Sequence, residues 1–137
     1  MFRAMLVEDS PSFRNAFRLY LRSEFPSMEI IEAADGLRVL ENIDFHSPNL
    51  IFMDINLPGE NGLELTKKIK SYHTDIIIII LTNHDLPEYR EAAIRYKADY
   101  FFPKSSISTD NISALVKTIF LELGFNVDGS DCGMVNM

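Results

Sequence analysis

"DIIIIILT", residues 75–82, decides the fold. Five consecutive β-branched side chains lose rotamer freedom in a helix but pack well on a pleated surface. No polar residue alternates with them, so the segment has no wet face. A strand covered on both faces belongs to the middle of a parallel sheet sandwiched between helices.

The rest of the chain fits around that strand. Ala4–Val7, "MEIIEA" (28–33), "NLIFMD" (49–54) and "DYFF" (99–102) read as four further strands. Helical patterns separate them. Ser10 offers an N-cap and Pro11 a first helical residue, followed by Phe13, Ala16, Phe17, Tyr20 and Leu21 at helical spacing. "DGLRVLENI" (35–43), "LELTKKIKS" with its apolar Leu63, Leu65 and Ile69, and "LPEYREAAIRYK" (86–97) follow. Ile112, Leu115, Val116, Ile119 and Leu123 mark a last helix, stopped at Gly124. Strictly alternating strands and helices predict right-handed βαβ units on one parallel sheet. Residues 1–124 form one domain in this reading, and the aperiodic stretch 125–137 a tail or linker.

Composition narrows the function classes. The longest apolar run, Ile76–Leu81, has strand length, against the ~20 residues of a membrane helix. "MFRAMLVEDS" is too short in its apolar part and too acidic to read as a secretory leader. The single cysteine, Cys132, permits no internal disulfide, and nothing around it would activate its thiol; a cytoplasmic location is expected. Twenty acidic residues against thirteen basic ones, a net charge of −7, argue against nucleic-acid binding. The one basic cluster, Lys67, Lys68 and Lys70, is expected to be a solvated helix face. His46, His73 and His84 are scattered and lack the spacing of a zinc site.

In open parallel sheets, ligands bind at the carboxyl ends of the strands. The first strand here ends in Glu8 and Asp9, the third in Asp54, the fourth in Thr82, and the fifth runs into Lys104. Any one of these acids alone would pass for a loop or cap residue. Converging on one rim, three carboxylates repel one another unless a cation separates them. Hard oxygen donors with room for water suit Mg²⁺. An aspartate beside such a metal and an ammonium group is equipped to attack phosphorus.

"VED", "MDINLPGENG", "LTN" and "ADYFFPKS", in that order and each at a strand end, resemble the response-regulator receiver domains of two-component signalling, from about residue 3 to 124. The resemblance implies a flavodoxin-like, doubly wound sheet in the order 2-1-3-4-5 with five flanking helices. It implies that Asp54 accepts a phosphoryl group from a sensor histidine kinase or phosphotransfer protein. Asp9, Asp54 and the backbone carbonyl of Asn56 would hold Mg²⁺, with Glu8 acting mostly through a bound water. Thr82 and Lys104 would contact phosphoryl oxygens. Phe101, three residues before the lysine, would be an aromatic switch that re-shapes the face of helix four, strand five and helix five for a downstream partner. The chain departs from the family in carrying Ser105 where many receivers have proline, and its switch position lacks a tyrosine hydroxyl. His84, two residues after Thr82, and Asn56 are candidates for setting how fast water reaches the acyl phosphate.

Two alternatives stay open. An aspartate-nucleophile phosphohydrolase also uses a strand-end Asp, Mg²⁺ and a lysine, but wants a second Asp two residues on, where Asn56 stands. The chain is expected to act as a stand-alone receiver, and the other alternative is the receiver half of a longer DNA-binding regulator. The resemblance implies a downstream protein or output domain as partner and allows a dimer.

Overall fold

The structure, a computed structural model, describes residues 1–132. Its elements run β1 (Arg3–Val7), α1 (Pro11–Glu24), β2 (Glu29–Ala33), α2 (Gly36–His46), β3 (Leu50–Asp54), α3 (Gly62–Tyr72), β4 (Ile77–Thr82), α4 (Pro87–Arg95), β5 (Tyr100–Pro103) and α5 (Thr109–Glu122). A short 3₁₀ turn, Lys104–Ser106, joins β5 to α5. The five strands are parallel in the order β2-β1-β3-β4-β5. This is the flavodoxin-like arrangement expected from the sequence, with the order reversing between β1 and β3.

The isoleucine run explains itself in this setting. Side chains alternate between sheet faces, so Ile78 and Ile80 enter one core with Met5, Val7, Ile51 and Met53, beneath α2, α3 and α4. Ile79 and Leu81 enter the other with Leu6, Phe52 and the buried residues of α1 and α5. Both faces of β4 are dry, which is why no polar residue interrupts it.

Caps set the helix starts. The Ser10 hydroxyl accepts from the Phe13 amide, Asp35 from Arg38, Asn61 from Leu63 and Ser108 from Asn111. Helix α4 has no side-chain cap and relies on Pro87 in its first turn. Gly124 takes φ +84° just beyond α5, a conformation glycine adopts without penalty.

Two expectations need correction. Lys70 is not on a solvated face: it is buried, and its Nζ donates to the Ile76 carbonyl at 2.6 Å and lies 2.8 Å from Asp99 Oδ2. It sits one residue past Ile69 on the sheet-facing side of α3, where only a paired charge is tolerated. Lys67 and Lys68 remain exposed as expected. Helix α2 also runs past residue 43 to His46, ending where Ser47 turns left-handed at φ 46°.

Beyond α5, Phe125 packs edge-on against Phe2, with centroids 5.2 Å apart, and the Met1 amine lies 2.8 Å from Asp131. Residues 125–132 therefore fold back onto the domain; the remainder of the stretch read as a tail, 133–137, lies outside the described residues. Among the described residues, no helix is long and apolar enough to cross a membrane.

Candidate functional site

Four strand ends build one rim. The sheet ladder continues one residue past β1, where the Glu8 amide donates to Ala33 at 3.0 Å. The chain then turns: the Ser10 amide donates to Glu8 Oε1 at 3.1 Å, and Arg14 Nη1 binds the Glu8 carbonyl at 2.6 Å. Glu8 is thereby fixed pointing inward and buried, while Asp9 stays exposed. Asp54 closes β3 in register with Leu81 and is buried as well. One carboxylate oxygen from each of Glu8, Asp9 and Asp54 lies within 4.8 Å of the others.

Lys104 reaches in from the end of β5. Its Nζ lies 2.7 Å from Glu8 Oε2 and 3.9 Å from Asp54 Oδ2, with its side chain 9% exposed. The tighter pair is therefore with Glu8 and not with the strand-end aspartate. Thr82, fully buried, accepts the His84 amide on its hydroxyl at 3.1 Å. Phe101 pairs in register with Ile80, so it rises from the same sheet face as Thr82, two residues along. It is half-buried, and the Arg90 guanidinium lies over its ring at 4.8 Å while also pairing with Asp85 in the β4–α4 loop.

The loop after Asp54 is held by a close backbone approach. The Gly62 amide donates to Ile55 at 2.8 Å, and Asn56 bridges Asn61. A methyl group at Gly62 would overlap the Asp54 carbonyl oxygen and sit 2.8 Å from its carbonyl carbon. Gly62 is therefore more than a turn residue: it lets the start of α3 lie against the Asp54 peptide. Asn56 and His84 are both exposed at this end of the molecule.

Electrostatics match the crowding. Burial and the Glu8 carboxylate push the Asp54 carboxyl up to about 6, while Lys104 and the amides of Ile55 and Asn56 pull it back. A proton, an ammonium or a metal ion each relieves that strain. The donor set fits a divalent cation with a preference for oxygen: three carboxylates, one of them open to solvent, leave positions for water.

Sequence reasoning brought Glu8, Asp9, Asp54 and Lys104 to one place. It missed Phe13, whose ring lies 4.0 Å from Lys104 Nζ, and Arg90, because neither contact follows from strand-end logic.

The sequence matches the response regulator receiver domain family over residues 4–119. It is 32% identical over 120 residues to the oxygen regulatory protein NreC of Staphylococcus carnosus, covering 86% of this chain and 54% of that one. It is also 32% identical over 102 residues to the chemotaxis protein CheY of Halobacterium salinarum, covering 74% and 83%. The fold superposes on a LuxR-family DNA-binding response regulator from Staphylococcus aureus with TM-score 0.79 and 26% identity, covering 87% of this chain and 98% of that one. A CheY-like receiver domain protein from Methanospirillum hungatei gives TM-score 0.81 at 24% identity, covering 89% and 95%. The chain spans about half the length of several curated relatives that it matches.

Proposed function

Because the chain belongs to the response-regulator receiver family of two-component signalling, we propose that Asp54 is its phospho-acceptor. One Asp54 oxygen attacks the phosphorus of a phosphohistidine presented by a sensor kinase or phosphotransfer protein. The P–N bond breaks, its electron pair returns to the imidazole, and a phosphoryl–aspartate forms. Asp9, Asp54 and the Asn56 carbonyl would hold Mg²⁺, with Glu8 bound through water; the ion would offset charge on the transferring group. Lys104 and Thr82 would then take phosphoryl oxygens.

The observation that carries this reading is a buried aspartate, crowded by two other carboxylates, with a buried ammonium 3.9 Å away. Such a group is primed for a reaction that adds charge only together with cations. The chain acts in this reading as an acceptor, with no free substrate to turn over.

Signal output follows from the new charge. Lys104 turns from Glu8 toward the phosphoryl group and Thr82 is drawn inward, leaving room for Phe101 on the face it shares with Thr82. Shifting a two-state equilibrium from 1:99 to 99:1 takes about 5.5 kcal/mol. Two or three charge-assisted hydrogen bonds at ~1.5–3 kcal/mol each supply that order of energy. The face of α4, β5 and α5 then meets a downstream protein or output domain. His84 and Asn56, exposed at the mouth, would set the phosphoryl lifetime; matching lifetimes in His84→Ala, Asn56→Ala and the parent would remove that part.

Residues 1–124 carry this function in our reading, with 125–137 as tail or linker, and the cytoplasm is the compartment that suits a kinase-fed relay. A second reading is compatible with the comparisons: relatives of which the matched stretch makes up about half are named as transcriptional regulators. This receiver would then serve as the regulatory half of such a protein.

The test uses a small phosphodonor such as acetyl phosphate with MgCl₂, read by intact mass. The parent gains one phosphoryl group and Asp54→Asn gains none. Labelling of that variant at the parental rate would overturn the assignment.

A further inference from the structure

The Lys104 ammonium has three sides, and the structure accounts for each. One hydrogen bond runs to Glu8 Oε2 at 2.7 Å, Asp54 Oδ2 stands off at 3.9 Å, and the Phe13 ring closes the remainder at 4.0 Å from Nζ to centroid. With the lysine side chain 9% exposed, the ring lies over a nearly dry cation, the setting in which cation–π attraction is strongest.

The ring is held where it is. Phe13 is in the first turn of α1, and its amide is bound by the Ser10 cap at 3.4 Å. Behind it, Phe13 stacks on Phe17 at 5.7 Å, and Phe17 meets the buried Phe52 edge-on at 5.0 Å. An aromatic column thus runs from the core of β3 to the lysine.

We infer that Phe13 is a positioning residue for phosphoryl transfer, holding the Lys104 ammonium beside Asp54 with its π face. This rests on the proposed role of Asp54. The ring suits the task because it attracts a cation without neutralising it. A carboxylate in its place would compete with the incoming phosphoryl group for the same N–H donors. Glu8 must release Lys104 as the phosphoryl group arrives, whereas the ring keeps its contact throughout, so the ammonium pivots over a fixed surface.

An ordinary core role for Phe13 predicts that any apolar side chain of similar volume will serve. The inference predicts that only an aromatic one will. Phosphorylation of Asp54 by acetyl phosphate, which needs no protein docking on α1, should slow about five- to tenfold in Phe13→Leu and stay within about twofold of the parent in Phe13→Tyr. Phe13→Met substitutes for the leucine variant should that one not fold. An independent readout is taken on the metal-free protein by NMR. The Lys104 Hε protons should be shifted upfield by the ring in the parent and Phe13→Tyr, and return to the ordinary lysine position in Phe13→Leu. Equal rates in Phe13→Leu and the parent, or Hε shifts unmoved by the substitution, would overturn the inference. Loss of phosphorylation at Asp54 in the parent itself would instead overturn the acceptor assignment, and the NMR comparison would still decide the place of Phe13.

Discussion

Lys104 lies 2.7 Å from Glu8 and 3.9 Å from Asp54, so the ammonium rests on a neighbouring acid and not on the aspartate at the end of β3. Glu8 is the more buried of the two partners and its other oxygen is already engaged by the Ser10 amide. A buried carboxylate with one oxygen satisfied holds its counterion tightly. The consequence is a charge that is stored beside Asp54 and can be transferred to it.

Removing that charge should cost stability. In Lys104→Met, Glu8 is left buried without a counterion, and loss of one partner of a buried pair costs about 3 kcal/mol or more. Adding Mg²⁺ should recover part of the loss, because the ion returns positive charge to the same carboxylates. Urea denaturation with and without Mg²⁺ measures both; a variant as stable as the parent in EDTA would contradict the pairing.

The raised carboxyl of Asp54 gives the metal-free protein a contribution to stability that is lost as pH rises. A group near 6 in the folded state and 3.8 when unfolded binds more protons folded than unfolded between those values. Its neutral form favours folding at low pH, and that benefit is lost as pH rises through about 6. At pH 7 the penalty is on the order of 2–3 kcal/mol at most. Asp54→Asn should therefore be more stable than the parent at pH 7, with the gap closing toward pH 4. A gap that does not change with pH would show that Asp54 titrates normally.

Gly62→Ala should be among the most damaging single changes. The added methyl would meet the Asp54 peptide, a backbone contact that cannot rotate away, and a cost of about 3 kcal/mol or more is expected. Gly59→Ala is the control: its φ is +76° but nothing lies within 4 Å, so only the left-handed penalty of about 1 kcal/mol applies. Thermal denaturation of the two variants should rank them in that order.

Lys70→Met should cost about 2 kcal/mol, below the ~3–5 kcal/mol of fully buried pairs, because Asp99 can still reach water and keeps the Ile78 amide. A double-mutant cycle with Asp99→Asn measures the coupling; no interaction energy would mean that Lys70 is held by the Ile76 carbonyl alone.

Much of this molecule was readable along the chain. The isoleucine run demanded cover on two faces, alternation demanded parallel connections, and Ser10, Pro11 and Gly124 marked helix ends by local chemistry. The basic cluster on α3 was read wrongly in one residue: Lys70 follows Thr66 by four residues and Leu63 by seven, so it shares their buried face, and its charge hid that spacing.

What the sequence determined by itself was therefore what depends on near neighbours: side-chain alternation, caps, and the rule that strand ends carry the acids and the lysine to one rim. Only the tertiary structure decided which partners those charges take. Glu8 over Asp54 for Lys104, Phe13 beneath it, Arg90 over Phe101 and Gly62 against the Asp54 peptide each join elements separated along the chain. Such contacts are chosen by distances of a few ångströms across the packed interior, and pattern along a chain carries no information at that scale.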